Sequence, residues 1–102
     1  MSKSAKSEFE NDAVRYLRDR GFIVGRASSS WKMPSGLKNW PDLICIRFDQ
    51  IWLVEVKLGA DTMKEGQIKF AKKLEPHLGE HVHYRIASTM LDFEEIYKES
   101  KS

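Results

Sequence analysis

Two carboxylates and a lysine lie close together in the middle of the chain. Asp42 follows Pro41, twelve residues separate Asp42 from Glu55, and Lys57 follows Glu55 after one intervening residue. Alternate side chains of a strand share a face, so Glu55 and Lys57 point the same way. Carboxylate oxygens are the ligands that hard divalent cations such as Mg²⁺ and Mn²⁺ prefer. These residue types therefore predict a metal site on one face of a strand.

A hairpin with a two-residue turn at Asp49-Gln50 would bring the two carboxylates together. This turn sets Asp42 opposite Lys57 and makes Asp42 and Glu55 diagonal neighbours that can bind one cation. Two unit charges ~4 Å apart interact by about 4 kcal/mol at an effective dielectric of ~20, so the carboxylates repel each other without a cation. Lys57 can neutralise only one carboxylate, which leaves a place for a divalent ion.

Two further polar residues fall on the apolar sides of predicted helices. Glu10 lies between Val14 and Leu17 on the inner arc of the first helix, whereas Glu8 lies on the opposite side. Gln67 lies within the apolar stripe of the second helix. Both residues are expected to face the sheet, where Glu10 would add a third carboxylate to the cluster.

Each of these residues also has a purely structural interpretation. Glu10 has the spacing of a capping box with Ser7. Glu55 and Lys57 suit a solvated strand face, and Asp42 suits a turn. The functional interpretation depends on the coincidence of all of them.

The elements that would position these residues follow from periodicity and from helix and turn signals. We predict helices at 7–20 (before Gly21), from Asp61 or Thr62 to Pro76, and at 90–98, strands at 22–27, 43–48, 51–57 and 82–86, and a loop at 28–40. The order α-β-β-β-α-β-α predicts an α/β fold with a mixed β-sheet flanked by helices.

Length and composition limit the possibilities further. The chain has 102 residues, a net charge of +2 and a single cysteine, Cys45, which cannot form an internal disulfide. We expect one domain over 1–102 with frayed ends at about 1–6 and 98–102. No apolar run approaches the ~20 residues that cross a bilayer, and no signal peptide is recognised, so a cytoplasmic protein without a membrane partner is expected.

The long loop combines cations with aromatic side chains. Such a loop suits phosphate contact and base stacking on nucleic acid. For the two tryptophans, packing into the core is an equally good interpretation. The residues are Arg26, Trp31, Lys32, Lys38 and Trp40.

The motif as a whole resembles the PD-(D/E)xK nuclease superfamily, with its restriction-endonuclease-like core. The resemblance spans about 8–88 and is carried by Pro41-Asp42, Glu55-Val56-Lys57 and the helical Glu10. Glu10, Gly21-Phe22, Arg26 and Ser30 look like the archaeal-type Holliday junction resolvases. Trp40-Pro41-Asp42-Leu43 together with Gln67 also looks like the VRR-NUC branch.

This resemblance implies a Mg²⁺-dependent endonuclease, with Mn²⁺ able to substitute, that hydrolyses phosphodiester bonds in branched DNA. It makes Glu10, Asp42, Glu55 and the Val56 carbonyl metal ligands and Lys57 the catalytic cation. Gln67 would support the site or touch the phosphate, and Ser30 would contact DNA. A VRR-NUC-type flap or restriction-like nuclease is the alternative enzyme. A DNA-binding module of the same fold without turnover is the alternative outside the enzymes.

Symmetric resolution of a junction requires two cuts, so the resemblance also implies a homodimer with two sites. Two sets of apolar residues offer material for the interface, although part of each must be core. These are Trp52, Val54 and Val56 on the strand and Leu91, Phe93, Ile96 and Tyr97 on the last helix.

Overall fold

Three helices and four strands, in the predicted order, make up residues 4–27 and 39–101, the part of the chain that the computed structural model describes. The elements are α1 (Ala5–Arg18), β1 (Ile23–Arg26), β2 (Leu43–Arg47), β3 (Gln50–Val56), α2 (Glu65–Leu74), β4 (Val82–Ala87) and α3 (Met90–Ser100), with a 3₁₀ turn at Glu75–His77. The predicted α/β class with a mixed sheet is confirmed.

The strands form one sheet in the order β1-β2-β3-β4. The first two pairs are antiparallel and the pair β3 and β4 is parallel. A parallel pair needs a crossover connection, and α2 supplies it between β3 and β4. Asp42, immediately before β2, and Glu55, near the end of β3, therefore lie at the same end of the sheet, where α2 contacts Glu55.

One face of the sheet is the hydrophobic core, which α1 and α3 complete. Its members are Val24, Leu43, Cys45, Trp52, Val54, Val56 and Ala87 from the sheet, Ala13, Val14 and Leu17 from α1, Phe93 and Ile96 from α3, and Phe22. Five of the residues considered above as interface material, Trp52, Val54, Val56, Phe93 and Ile96, are thus fully buried. These five are therefore the part of the two sets that is core, because the helices cover this face, whereas Leu91 on α3 is 69% exposed.

The hairpin turn lies one residue earlier than predicted. Arg47 pairs with Gln50, so the turn residues are Phe48 and Asp49 and Gln50 is part of β3. Phe48 has a φ of 55°, the backbone conformation that tight hairpin turns demand. The shift keeps every side chain on its predicted face, but it sets Asp42 opposite Glu55 instead of opposite Lys57.

Helix α1 begins earlier than predicted because Ser4, and not Ser7, is its N-cap. The Ser4 Oγ accepts a hydrogen bond from the Ser7 N–H at 3.1 Å. Glu10 therefore lies outside the capping position, and the capping-box interpretation of Glu10 is wrong. At the other end Gly21, with a φ of 91°, turns the chain into β1 as predicted.

The ends of the chain and the second helix also differ from the predictions. Helix α2 begins only at Glu65, and α3 continues to Ser100, whose hydroxyl accepts a hydrogen bond from Arg47 at 3.0 Å. Ordered helix thus extends into both segments that were expected to fray. Within the described ranges, none of the helices has the length and apolar character needed to span a membrane.

Candidate active site

Asp42 lies immediately before β2, and two contacts fix its carboxylate. Its Oδ2 accepts a hydrogen bond from the Val56 N–H at 2.8 Å, and its Oδ1 lies 3.3 Å from the Nζ of Lys6 on α1. Leu43 pairs with Val54, so the same register continued by one residue sets Asp42 opposite Glu55. The two carboxylates are therefore nearest cross-strand neighbours.

Glu55 is almost completely buried, with 2% of its surface exposed. Burial raises the pKa of its carboxyl to about 8, and Asp42 acts in the same direction through a shared hydrogen bond and its negative charge. The positive charges of Lys57 and Lys6 oppose this rise. A pair of carboxylates held together out of water gains from any cation that removes their repulsion.

Lys57 and Gln67 complete the surroundings of Glu55. Lys57 is buried just beyond the end of β3, and its Nζ lies 3.8 Å from the Oδ2 of Asp61. The Nε2 of Gln67 donates a hydrogen bond to the Oε1 of Glu55 at 3.0 Å. The inward position predicted for Gln67 thus brings it into contact with the acidic pair, and α2 is the element that holds it there.

Glu10 is buried on the inner side of α1, as its helical position predicts, while Glu8 is exposed. Its Oε1 accepts a hydrogen bond from the Nη2 of Arg26 at 2.8 Å, and the Nη1 of Arg26 contacts the amide oxygen of Asn11. In residues 4–27 and 39–101 no three His, Cys, Asp or Glu side chains converge in a way that could hold a metal ion. Asp42 and Glu55 are together, whereas Arg26 engages Glu10.

Two residues near the acidic pair were not identified from the sequence. Lys6 belongs to a segment that was expected to fray, yet it lies four residues before Glu10 on the same helix. The pKa of Tyr84 is raised to about 12, first by burial and then by the charges of Glu55 and Asp42. Its place opposite Leu53 in the parallel register puts it on the face that carries Glu55.

Of the predicted DNA contacts, only Arg26 falls in the described part of the chain. Ser30, Trp31, Lys32 and Lys38 lie outside it. The neighbouring Trp40 packs edge to face on Phe70, with ring centroids 5.7 Å apart. For Trp40 the structure favours the packing interpretation over base stacking.

Comparisons with known proteins identify a family and a similar fold. The family model described as archaeal Holliday junction resolvase (Hjc) matches residues 1–75. Among solved structures, the Holliday junction resolvase Hjc of Archaeoglobus fulgidus, an archaeal hyperthermophile, has a similar fold with a TM-score of 0.52 at 17% identity. The match covers 81% of this chain and 70% of that one. The search of curated proteins finds no match.

Proposed function

This chain belongs to the archaeal Holliday junction resolvase family, and we propose that its nuclease activity depends on a divalent metal ion bound at Asp42 and Glu55. As a member of that family it is a resolvase-like nuclease that acts on DNA. The observation that carries the proposal is the contact between the half-buried carboxylate of Asp42 and the buried carboxylate of Glu55, with Lys57 and Gln67 beside them. The proposed substrate is branched DNA, in particular the four-way junction.

The residues present fit a hard divalent ion such as Mg²⁺. The carboxylates of Asp42 and Glu55 are neighbours, and burial together with Asp42 raises the pKa of Glu55. The ammonium group of Lys6 lies against Asp42, so the pair already attracts one cation. Asp42 and Glu55 would hold the ion, with the Val56 carbonyl and Glu10 as the further proposed ligands. Glu10 forms an ion pair with Arg26, and this ion pair competes with metal binding by Glu10.

Each side chain then has a distinct task in phosphodiester hydrolysis. A bound divalent ion supplies Lewis acidity and lowers the pKa of water so that hydroxide is available near neutral pH. Lys57 orients the attacking water or stabilises the charge that develops on the phosphorus oxygens. Gln67 fixes the orientation of Glu55 through its 3.0 Å hydrogen bond, which makes it a positioning residue.

A comparison of substrates tests the proposed function. The protein is incubated with equal concentrations of four-way junction, flap and linear duplex DNA, with Mg²⁺, with Mn²⁺ and with EDTA. We expect nicks in the junction with either metal and none with EDTA. Cleavage of flaps with intact junctions would instead establish the flap nuclease alternative, and cleavage in EDTA would contradict the metal dependence.

We also propose a homodimer, assembled through the sheet face that carries Glu55. We assign a second copy of this chain to this face, because two opposed cuts in one junction require two catalytic centres. The face is apolar in a row across the strands that is distant from Glu55. The exposed and half-buried residues of this row are Ile23, Ile46, Ile51 and Val82, whereas Leu53 in the next row is buried. Ile23 at one edge is 71% exposed and Ile86 at the other is 47% exposed. Exposed apolar residues on one sheet face favour burial against a partner.

A further inference from the structure

A cavity of about 400 Å³ lies between α1 and β1, apart from the acidic pair. We refer to it as the arginine groove, and its lining residues are Asn11, Val14, Arg15, Arg18, Asp19 and Arg26. Asp42, Glu55 and Lys57 are not among them. Three of the six lining residues are arginines, which gives the groove a chemistry different from that of the candidate centre.

Helix chemistry alone does not explain this collection of arginines. Arg15 and Arg18 lie in the last turn of α1, where positive charge is favourable to the helix dipole. Arg26, however, comes from β1 and is brought to the same groove by the tertiary fold. Like charges that converge from separate elements repel, so an anionic ligand is the natural complement.

The arginines are partly held in place and still have donors to offer. The Nη2 of Arg18 donates to the Val24 carbonyl at 2.9 Å, and Arg26 is held by Glu10 and Asn11. Each guanidinium has five N–H donors, and these contacts use only one or two of them. Held guanidinium groups lose less entropy when they bind a phosphate, and their fork geometry matches its oxygens.

We propose that the arginine groove binds a phosphodiester group of the DNA strand, at a position outside the acidic centre. The inference rests on the proposed function for the identity of the DNA. Asp19 and Glu10 offset part of the positive charge, so the groove suits a single backbone phosphate. Because Arg26 lines the groove and also pairs with Glu10, a DNA strand bound in the groove passes close to Glu10 on α1.

The test is binding of a fluorescent four-way junction, measured by anisotropy in EDTA so that no cleavage occurs. The double variant Arg15→Gln, Arg18→Gln is compared with Lys72→Gln, Lys73→Gln, which removes the same charge from exposed positions on α2. We expect the arginine variant to bind more weakly, with the slope of log K against log salt reduced by about 1 to 2. The lysine variant should keep the slope of the wild-type protein.

Two results would overturn the proposal. One is an arginine variant with the affinity and salt slope of the wild-type protein. The other is an equal loss in both double variants, which would assign the effect to net charge. Arg18 also contacts the backbone of β1. Arg15 is exposed, and its hydrogen bond with Asp19 is made by the backbone, so Arg15→Gln alone repeats the test with the fold preserved.

Inorganic phosphate tests whether the groove binds any phosphate or the phosphodiester backbone of DNA. If the groove binds any phosphate, added phosphate at constant ionic strength should raise the melting temperature of the wild-type protein. The melting temperature of the arginine variant should not change. If phosphate stabilises the protein while junction binding is unaffected by the arginine substitutions, the DNA assignment is wrong. If the arginine variant loses junction binding and the wild-type protein does not cleave the junction with Mg²⁺, the groove is a DNA-binding site and the proposed activity is wrong.

Discussion

At the scale of single residues, Glu55 determines how the site responds to pH. Its carboxyl has a pKa of about 8 in the folded protein, against an ordinary value of 4.5. The folded protein therefore holds a proton that the unfolded chain releases between these values. Since the folded state binds more protons, the free energy of unfolding must fall as pH rises through this window.

Urea unfolding at pH 5, 6.5 and 8 without divalent ions checks this expectation. The wild-type protein should lose stability by up to about 1.4 kcal/mol for each pH unit in the window, and Glu55→Gln should remove that loss. Glu8→Gln, at an exposed position on α1, should keep the wild-type slope. A Glu55→Gln variant with the same pH slope as the wild-type protein would show that Glu55 is charged throughout.

Lys6 makes a second prediction at this scale, because its ammonium group occupies one side of Asp42. A divalent ion at the Oδ1 of Asp42 must displace it from the 3.3 Å contact. Lys6→Met should therefore lower, by up to about fivefold, the Mg²⁺ concentration that gives a set rise in melting temperature over the metal-free value. This is the effect of a partly exposed ion pair worth ~1 kcal/mol.

Lys69→Met is the matched control, since Lys69 pairs with Glu65 on the surface of α2. It should need the same Mg²⁺ concentration as the wild-type protein for that rise in melting temperature. Equal Mg²⁺ requirements for all three proteins would place the metal away from Asp42.

At the scale of elements, strand parity and helix phase were predictable and the exact ends were not. Glu10, Gln67 and Glu55 face inward as predicted, because side-chain direction depends only on the period of each element. The hairpin register depended on whether Phe48 would accept a positive φ, which no local pattern indicated. The spacing of Ser7 and Glu10 indicated a helix start at Ser7, whereas the N-cap is Ser4, so the place of Lys6 in the first turn was not predicted.

The site itself was less accessible from the sequence than the fold. The partnership of Glu10 with Arg26 joins a helix to a strand, and the approach of Tyr84 to Glu55 requires the parallel pairing of β3 and β4. Both contacts arise from tertiary packing, so periodicity along the chain carries no signal for them.

The connection from α1 to β1 supports a prediction about stability. Gly21 has a φ of 91°, a conformation that costs other residues about 1 kcal/mol or more. A Cβ there would meet only ordinary contact with Arg47, so Gly21→Ala should destabilise the protein by about that amount through the backbone alone. Gly79→Ala, at a position with open space and no positive φ, should be nearly neutral in urea unfolding. Equal stability of the two variants would contradict this account of the turn.

At the scale of the whole molecule, the exposed apolar residues at the edges of the sheet, Ile23 and Ile86, predict the oligomeric state. Light scattering should report about twice the 11.9 kDa of one chain. Ile23→Lys, at one of these edges, should shift the protein to monomer, whereas Leu91→Lys, at a position on α3 that is 69% exposed, should leave the dimer intact. A dimer that is lost with Leu91→Lys and kept with Ile23→Lys would move the interface to α3.

Junction cleavage shows whether Asp42 and its neighbour Glu55 form the catalytic centre. Asp42→Asn is compared with Asp49→Asn, an exposed carboxylate at the far end of the same hairpin, under single-turnover conditions with Mg²⁺ and at protein concentrations that saturate the junction. We predict that Asp42→Asn lowers the rate by a factor of 10² or more while junction binding is retained, because loss of one ligand displaces the metal ion. Asp49→Asn should cleave at the wild-type rate with paired, symmetric nicks. Wild-type cleavage by Asp42→Asn would contradict the account.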